Sequence, residues 1–426
     1  MFGRGALDMK AGVAAHMTLI DYFSRHTELL CGNLIAVSEC DEEGNSAGIF
    51  SALEVLAHLK DEQQLDYIAC INSDYSTADR NDTQRYIYVG SIGKILARFA
   101  VFGKEAHVGQ VFAGFDPNLL TAEITSQMCY SPALCDQRLG ETTLPPVSLK
   151  QTDTKESYTV QTALSSYSYY NVFTYGMDAA TILRKCKETA INAMDAVIRR
   201  MNQSHSIWCA MAGQEETPLP WNTRVYLWHE YVEELAAANG EGFKAHIDRF
   251  AQRLAAESPE LDLRVYSFAI VQEARKYDLQ DTPCVVIFAG STFYPRVEVS
   301  GQNEKERALT AAAETAAAEM TFEAQKDPSG KLHPMGVKMF YPYISDSSFL
   351  YDCSEADDSA VLAADMPAYG FRYIHPEELI RRIDAPVVNI GTFGADGHMF
   401  TERVEKHHSF QAVPQMVFTT VCQLLK

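Results

Sequence analysis

Five side chains suited to metal binding or acid–base chemistry stand in short stretches spread over the 426-residue chain. They are Asp8 in GRGALDMKAG, the adjacent Glu42 and Glu43 in DEEGNSAG, Asp74 in INSDYS and His398 in GADGHMF. Carboxylates and imidazole are ligands of Zn²⁺, and a carboxylate that is left unbound can act as a general base. Each stretch alone is a weak signal, because a loop carboxylate is usually a solvated charge and DEE also suits a helix N-terminus. The prediction of a metal centre therefore depends on the whole set.

These stretches lie at the ends of elements that alternate between helix and strand. Helical spacing of apolar residues predicts helices over 9–29 and 46–62, the second with Ser46 as N-cap. Short apolar runs over 33–39 and 66–72 predict buried strands between and after them. Such alternation is typical of a parallel α/β sheet, in which ligands bind at the carboxyl ends of the strands.

The pattern changes after about residue 85. RYIYVG (85–90) and KILARFAVFG (94–103) follow each other closely and predict a hairpin. The expected elements beyond it are a helix after Asp116, a strand over 170–176 that leads into a helix over 178–202, and a largely helical, polar stretch over 222–280.

The α/β pattern resumes with a strand over 283–290. The elements predicted after it are a helix over 304–325, a buried strand over 385–391 and an amphipathic closing helix over 413–425.

These elements divide the chain into a discontinuous catalytic domain, residues 1–92 and 283–426, and an inserted domain, residues 93–282. Loops of the two catalytic parts carry the candidate metal ligands. We therefore expect the first and last thirds of the chain to build one site together.

Composition narrows the classes of partner. The chain has 36 Lys and Arg against 56 Asp and Glu, a formal charge of −20 that disfavours nucleic acid. No apolar run is long enough to span a membrane, and no signal-peptide pattern stands in the sequence. The ten cysteines are scattered without CxxC pairs. They indicate free thiols and predict a cytoplasmic location.

As a set, the candidate stretches resemble the co-catalytic di-zinc hydrolases of the aminoacylase, carboxypeptidase and dipeptidase family. The likeness is specific at GRGALDMKAG and DEEGNSAG, where thirty-five positions separate Asp8 from Glu43, and it extends to SDSSF (345–349) and GHMFTE (397–402). It implies an α/β phosphorylase/hydrolase-like zinc-peptidase catalytic domain with an inserted α+β lid. YTVQT (158–162), the large helical insert and YPYISDSSFL (341–350) are similar to the arginine-utilisation branch of that family.

The resemblance assigns a role to each ligand candidate. Asp8 would bridge two Zn²⁺ ions, Glu43 and His398 would complete one of the two sites, and Asp74 would belong to the other. Glu42 would be the general base, taking a proton from the attacking water and returning it to the leaving nitrogen.

The resemblance also implies roles outside the metal centre. His107 at the start of the insert would stabilise the developing oxyanion, often in the active site of a partner subunit. Asp346 and Ser345 match a substrate-side loop. Glu402 lies four positions after His398 and would share its face of a helix, supporting the ligands from behind.

In the family, a strand bearing H-x-D precedes the Asp8 position by about thirty residues, whereas seven residues precede Asp8 in this sequence. We therefore expect one metal site to be incomplete, apolar surface to be exposed and activity to be impaired.

Three hypotheses follow. In the first, the chain is a metal-dependent hydrolase of an amide bond in a peptide or N-acyl amino acid, acts in amino-acid or arginine catabolism and forms a homodimer through the lid. Alternatively it is a non-catalytic remnant with one metal, or a regulatory subunit that binds none. The number of zinc ions bound per chain, two, one or none, distinguishes these hypotheses.

Overall fold

The computed structural model describes residues 1–77, 84–240, 242–323, 332–352 and 358–426. Within these ranges the helices are α1 (Ala11–Arg25), α2 (Ala47–Gln63), α3 (Pro117–Met128), α4 (Ala179–Ala212), α5 (Trp228–Asn239), α6 (Gly242–Glu257), α7 (Leu263–Arg275), α8 (Glu304–Ala318), α9 (Asp358–Asp365), α10 (Glu377–Ile383) and α11 (Val413–Leu424). The strands are β1 (Cys70–Asn72), β2 (Ser76–Thr77), β3 (Tyr86–Val89), β4 (Gly93–Phe102), β5 (Gln137–Arg138), β6 (Glu141–Thr142), β7 (Ser148–Asp153), β8 (Ser165–Thr174), β9 (Val225–Leu227), β10 (Cys284–Ala289), β11 (Thr321–Glu323), β12 (Leu332–Pro334), β13 (Gly336–Lys338), β14 (Val387–Asn389), β15 (Phe393–Ala395) and β16 (Arg403–Val404).

A four-stranded sheet in the order β1-β14-β3-β13 unites the beginning and the end of the chain. The predicted strands over 66–72 and 385–391 appear as β1 and β14, which pair in parallel with Cys70 opposite Val387. Helices α1, α2, α8 and α11 share one apolar core with this sheet, where Phe23 of α1 stacks on Phe418 of α11. The sheet is mixed and not wholly parallel, because β3 runs antiparallel to β14.

A second sheet in the order β7-β8-β4-β10-β9 forms the core of the inserted region. Strands β4 and β8 pair over ten residues, and every residue of β4 is buried. The predicted strand and long helix of this region are observed as β8 and α4. Helix α3 begins where expected, because the Asp116 carboxylate accepts a hydrogen bond from Asn118 N at 2.9 Å. No helix of the described residues has the length and apolar character required to cross a membrane.

The predicted pairing of the strands over 85–103 is wrong. Strands β3 and β4 do not form a hairpin: β3 pairs with β14 and β13, and β4 pairs with β8 and β10. Gly90, with φ of 102°, begins the link that carries the chain from one sheet to the other. Strand β10 was expected in the catalytic part but pairs with β4 and β9. The domain ranges themselves stay predictions.

The apolar run over 33–39 is also not a buried strand. In the described structure it has no strand partner, and Ile35 and Val37 are 45% and 47% exposed. Apolar residues buried on both faces require neighbours on both sides, and a local pattern does not supply them. Helix α8 is likewise shorter than predicted, since it ends at Ala318 and β11 begins at Thr321. The predicted end at Gln325 lies outside the described residues.

Candidate metal centre

Asp8 lies in an irregular turn, Ala6–Lys10, directly before α1. The buried carboxylate of Glu402 accepts hydrogen bonds from Leu7 N at 3.0 Å and from Asp8 N at 3.2 Å. On the other side of the turn, Thr392 Oγ1 donates to Leu7 O at 3.1 Å. The backbone that carries Asp8 is therefore held by residues almost 400 positions away in sequence.

Glu402 does not reach this position through a helix. Residues 398–401 form a turn, so the predicted helical face shared with His398 is wrong. Burial alone would raise the pKa of Glu402, but hydrogen bonds from backbone N–H groups and from Arg4 outweigh it and lower that pKa. Arg4 donates to the second carboxylate oxygen at 3.0 Å and also lies 4.0 Å from Glu43. An ionised Glu402 is thus the natural acceptor for the turn that presents Asp8.

The structure brings three of the predicted ligands together. His398 Nε2 lies 2.5 Å from Asp8 Oδ2 and 3.0 Å from Glu43 Oε1. One ligand atom from each residue falls within 4.8 Å of the others. Glu43 comes from the loop before α2 and His398 from the turn after β15, where its φ is 63°. Three of the four segments that were expected to converge therefore supply a ligand at one point, and the fourth is the segment that carries Asp74.

Asp74 follows the end of β1 and is not part of that three-residue group. It is buried, and its Oδ1 accepts a hydrogen bond from Tyr75 N at 2.7 Å. Burial, reinforced by repulsion from Asp8, raises the pKa of Asp74 to about 7. Its backbone is fixed by Asn389, whose side chain donates to Asp74 O at 2.9 Å. Asp74 therefore neighbours the three-residue group, and the negative charge of that group raises the pKa of the Asp74 carboxylate.

Glu42 carries the most perturbed carboxylate of this neighbourhood. Burial raises the pKa of Glu42 to about 9, and repulsion from four other carboxylates adds to the effect. In order of size, these repelling groups are Asp74, Asp346, Glu43 and Asp8. Accumulated negative charge of this kind attracts a cation, which would lower the pKa of Glu42 in turn.

Asp346 and Ser345 begin a short turn that is buried throughout. Ser345 Oγ accepts hydrogen bonds from Asn72 Nδ2 at 3.0 Å and from Ser347 N at 3.3 Å, so it connects the end of β1 to this turn. Asp346 is 1% exposed, and neither of its carboxylate oxygens has a hydrogen-bond partner in the described parts of the chain. Burial raises the pKa of Asp346 to about 7.

His107 lies at the exposed start of a short 3₁₀ turn in the inserted region. Its Nδ1 accepts a hydrogen bond from Gly109 N at 3.0 Å. The metal-ligand group is formed without it. A contribution of His107 to a partner's active site stays a prediction.

Two residues beside Glu42, Lys94 and Tyr294, were not predicted from the sequence. Lys94 of β4 is buried, and its Nζ lies 4.4 Å from the ring centre of Tyr294. Burial, together with repulsion from Arg264, lowers the pKa of Lys94 to about 8, although attraction to Glu42 and Asp346 opposes this. The Tyr294 hydroxyl is 2.6 Å from Ser46 Oγ. The available signal was a lysine within the apolar run KILARFAVF.

A profile of the peptidase family M20/M25/M40 matches residues 1–337. The chain belongs to this family. Family membership confirms the predicted α/β metallopeptidase fold, and it confirms the resemblance inferred from the glycine-flanked motifs. The chain is therefore a homologue of metal-dependent peptidases.

Three similar proteins illustrate this relationship. The chain is 32% identical over 429 residues to Protein RocB of Bacillus subtilis (strain 168), a match that covers 100% of this chain and 73% of the relative. Among solved structures, the M20 family metallo-carboxypeptidase Sso-CP2 from Sulfolobus solfataricus has a TM-score of 0.47 and 11% identity, covering 100% of this chain and 78% of that one. The Bacillus subtilis YXEP protein, described as a dinuclear metal-binding peptidase of the same family, has a TM-score of 0.41 and 10% identity over 98% of this chain and 72% of its own.

Proposed function

We propose that the chain is a metal-dependent hydrolase of an amide bond in a short peptide or N-acyl amino acid. The observation that carries this proposal is the convergence of Asp8, Glu43 and His398, whose ligand atoms lie within 4.8 Å of one another. Glu42, the residue next to Glu43, forms no ion pair within the described residues, and repulsion from Asp8 and Glu43 contributes to its raised pKa.

The donor set fits a zinc ion. Imidazole nitrogen and carboxylate oxygen are both zinc ligands, and a catalytic zinc site has three protein ligands and an open position. His398 Nε2 lies within 3.0 Å of a carboxylate oxygen of both Asp8 and Glu43, and a cation bound by the three residues would offset the repulsion between the two carboxylates. Asp8 and Asp74 together would contribute to a second ion, as the two-metal character of the family implies. That one of the two sites is incomplete stays a prediction.

A divalent cation held there would supply the Lewis acidity that polarises an amide carbonyl. The protein contributes the proton transfers. Glu42 would accept a proton from the attacking water and deliver it to the leaving nitrogen. Burial and carboxylate repulsion raise the pKa of Glu42 to about 9 in the metal-free protein, so this carboxyl holds a proton at neutral pH until a cation binds beside it. Positive charge at Asp8 and Glu43 would favour the ionised form that the first step needs.

The wider context is also part of the proposal. Likeness to the arginine-utilisation branch supports a role in amino-acid or arginine catabolism. The nine cysteines in the described residues are all free thiols, which is compatible with the cytoplasm. A homodimer through the inserted region would give His107 a place at a partner's site.

Metal counting and hydrolysis together test this function. The purified chain is loaded with Zn²⁺, its metal content is measured, and release of amino acid from dipeptides and N-acyl amino acids is followed for the wild type and Glu42→Gln. We expect Glu42→Gln to retain the metal and lose at least about 100-fold in kcat. Equal activity of the two proteins would refute the mechanism. One bound ion without activity would favour the remnant, and no bound ion the regulatory subunit.

A further inference from the structure

Asp346 is a buried carboxyl group without a partner. It is 1% exposed, and neither oxygen accepts a hydrogen bond from any described residue. Leaving a charged group buried and unpaired is costly, and most buried polar groups in native proteins have partners. An unpaired buried carboxylate beside a catalytic carboxyl therefore indicates that a ligand supplies the missing donors.

The neighbouring polar groups are uncharged. The hydroxyls of Ser46 and Tyr294 lie 2.6 Å apart, and their proximity to Asp346 lowers its pKa, against the larger effect of burial. Ser345 Oγ is used by Asn72 and Ser347. None of these neighbours brings a positive charge to Asp346.

The nearest positive charge does not neutralise Asp346 by a close ion pair. Lys94 is attracted to Asp346 and Glu42, but its Nζ lies over the ring of Tyr294, and no contact within 4.0 Å joins it to Asp346 in the described structure. Glu42 and Glu39 are both repelled by Asp346. Carboxyl groups therefore outnumber basic groups around Asp346 in the described structure, which favours a cationic group over an anionic one.

We propose that Asp346 binds a protonated nitrogen of the substrate, so that the preferred substrates are amides that carry an ammonium group near the scissile bond. This inference rests on the proposed function, because it places the ammonium next to Glu42. An ammonium offers three N–H donors together with the positive charge. The group has two possible sources, the free amino terminus of a dipeptide or a cationic side chain.

Three amides distinguish these sources. Glycyl-norleucine carries its ammonium on the acyl side, Nα-propionyl-lysine carries it on the side chain, and Nα-propionyl-norleucine has neither. The measured quantity is the ratio of kcat/KM for each cationic amide to that for the neutral one, because a ratio does not depend on the amount of active enzyme. We expect the zinc-loaded wild type to prefer one cationic amide by about 10- to 100-fold, and Asp346→Asn to bring that ratio close to one.

Glu39→Gln is the matched control, since it removes a neighbouring carboxyl group whose pKa, like that of Asp346, is raised to about 7. We expect it to leave the ratio within about threefold of the wild type. An equal fall of the ratio in Glu39→Gln and Asp346→Asn would show a general field effect and overturn the inference. A ratio that Asp346→Asn does not change would overturn it as well.

Calorimetric binding of the same three amides to zinc-loaded Glu42→Gln, with and without Asp346→Asn, separates this inference from the proposed function. If no amide is hydrolysed but the cationic one still binds more tightly and depends on Asp346, the proposed function is wrong and the inference stands. If hydrolysis occurs and neither ratio nor binding depends on Asp346, the inference is wrong and the function stands. Absence of both hydrolysis and preferential binding refutes both.

Discussion

Replacing Glu402 with alanine is expected to weaken metal binding although Glu402 is not in the metal-ligand group. The buried carboxylate is the acceptor for Leu7 N and Asp8 N, at 3.0 and 3.2 Å. Without it, two backbone donors lose a charged acceptor. The turn that carries Asp8 is then free to move away from Glu43 and His398.

The size of the effect follows from these bonds. A hydrogen bond to a charged group contributes about 1.5–3 kcal/mol, so two of them stabilise the native turn by about 3–6 kcal/mol. The ion pair with Arg4 adds little, because the Arg4 side chain is 55% exposed. Loss of a residue that orients a ligand typically lowers metal affinity by about 10- to 100-fold. Glu402→Gln keeps one acceptor oxygen and should lie between the wild type and Glu402→Ala.

The assay compares zinc affinity, measured by competition with a chromophoric chelator, with the free energy of unfolding from denaturant titration. Asp136→Ala is the matched control. Asp136 is also buried and accepts backbone hydrogen bonds, from Tyr175, Gly176 and Met177 at 2.6–2.8 Å, but it belongs to the inserted region. It should lower stability and leave zinc affinity unchanged. If Glu402→Ala loses stability as Asp136→Ala does and binds zinc like the wild type, the positioning role of Glu402 is refuted.

Three further outcomes are expected. The pKa of Glu42 is about 9 in the folded metal-free protein and about 4.5 in the unfolded chain, so the free energy of unfolding should fall as pH rises between these values. Glu42→Gln should therefore be more stable than the wild type at pH 8 and similarly stable at pH 4. Equal stability differences at the two pH values in denaturant titrations would contradict this. Gly391→Ala should destabilise the protein by about 1–3 kcal/mol, because the added Cβ would lie 1.9 Å from Asp74 O. The control Gly242→Ala should not destabilise it, because a Cβ there meets nothing within 4 Å. Equal melting temperatures of the two variants would contradict the packing argument. Chelation should abolish amide hydrolysis and added Zn²⁺ should restore it, and a chelator-resistant activity would exclude the proposed chemistry.

The sequence by itself determined the family and the local elements that bear the site. Glycine-flanked motifs around Asp8 and Glu43 were sufficient, because close backbone turns restrict the residues that fit there. Helix α2 follows from the spacing of its apolar face and α3 from its Asp116 cap, whereas Ser46 precedes α2 without making the predicted capping hydrogen bond. These features depend on contacts only a few residues apart.

Strand partners were decided by the tertiary structure. The close sequence spacing of β3 and β4 favoured a hairpin, yet they belong to two sheets. The run over 33–39 is as apolar as a buried strand and still exposes Ile35 and Val37. Pairing depends on which strands compete for an edge, and no local pattern contains that information.

The electrostatics of the site were decided in the same way. Composition gives a charge of −20 but not its concentration around Glu42, which arises because segments up to 390 positions apart converge. Nor does sequence spacing reveal that Lys94 and Asp346 share the neighbourhood of Glu42, or that Glu402 supports Asp8 from a turn and not from a helix. Burial and proximity set the energies of these charges, and both are properties of the folded chain alone.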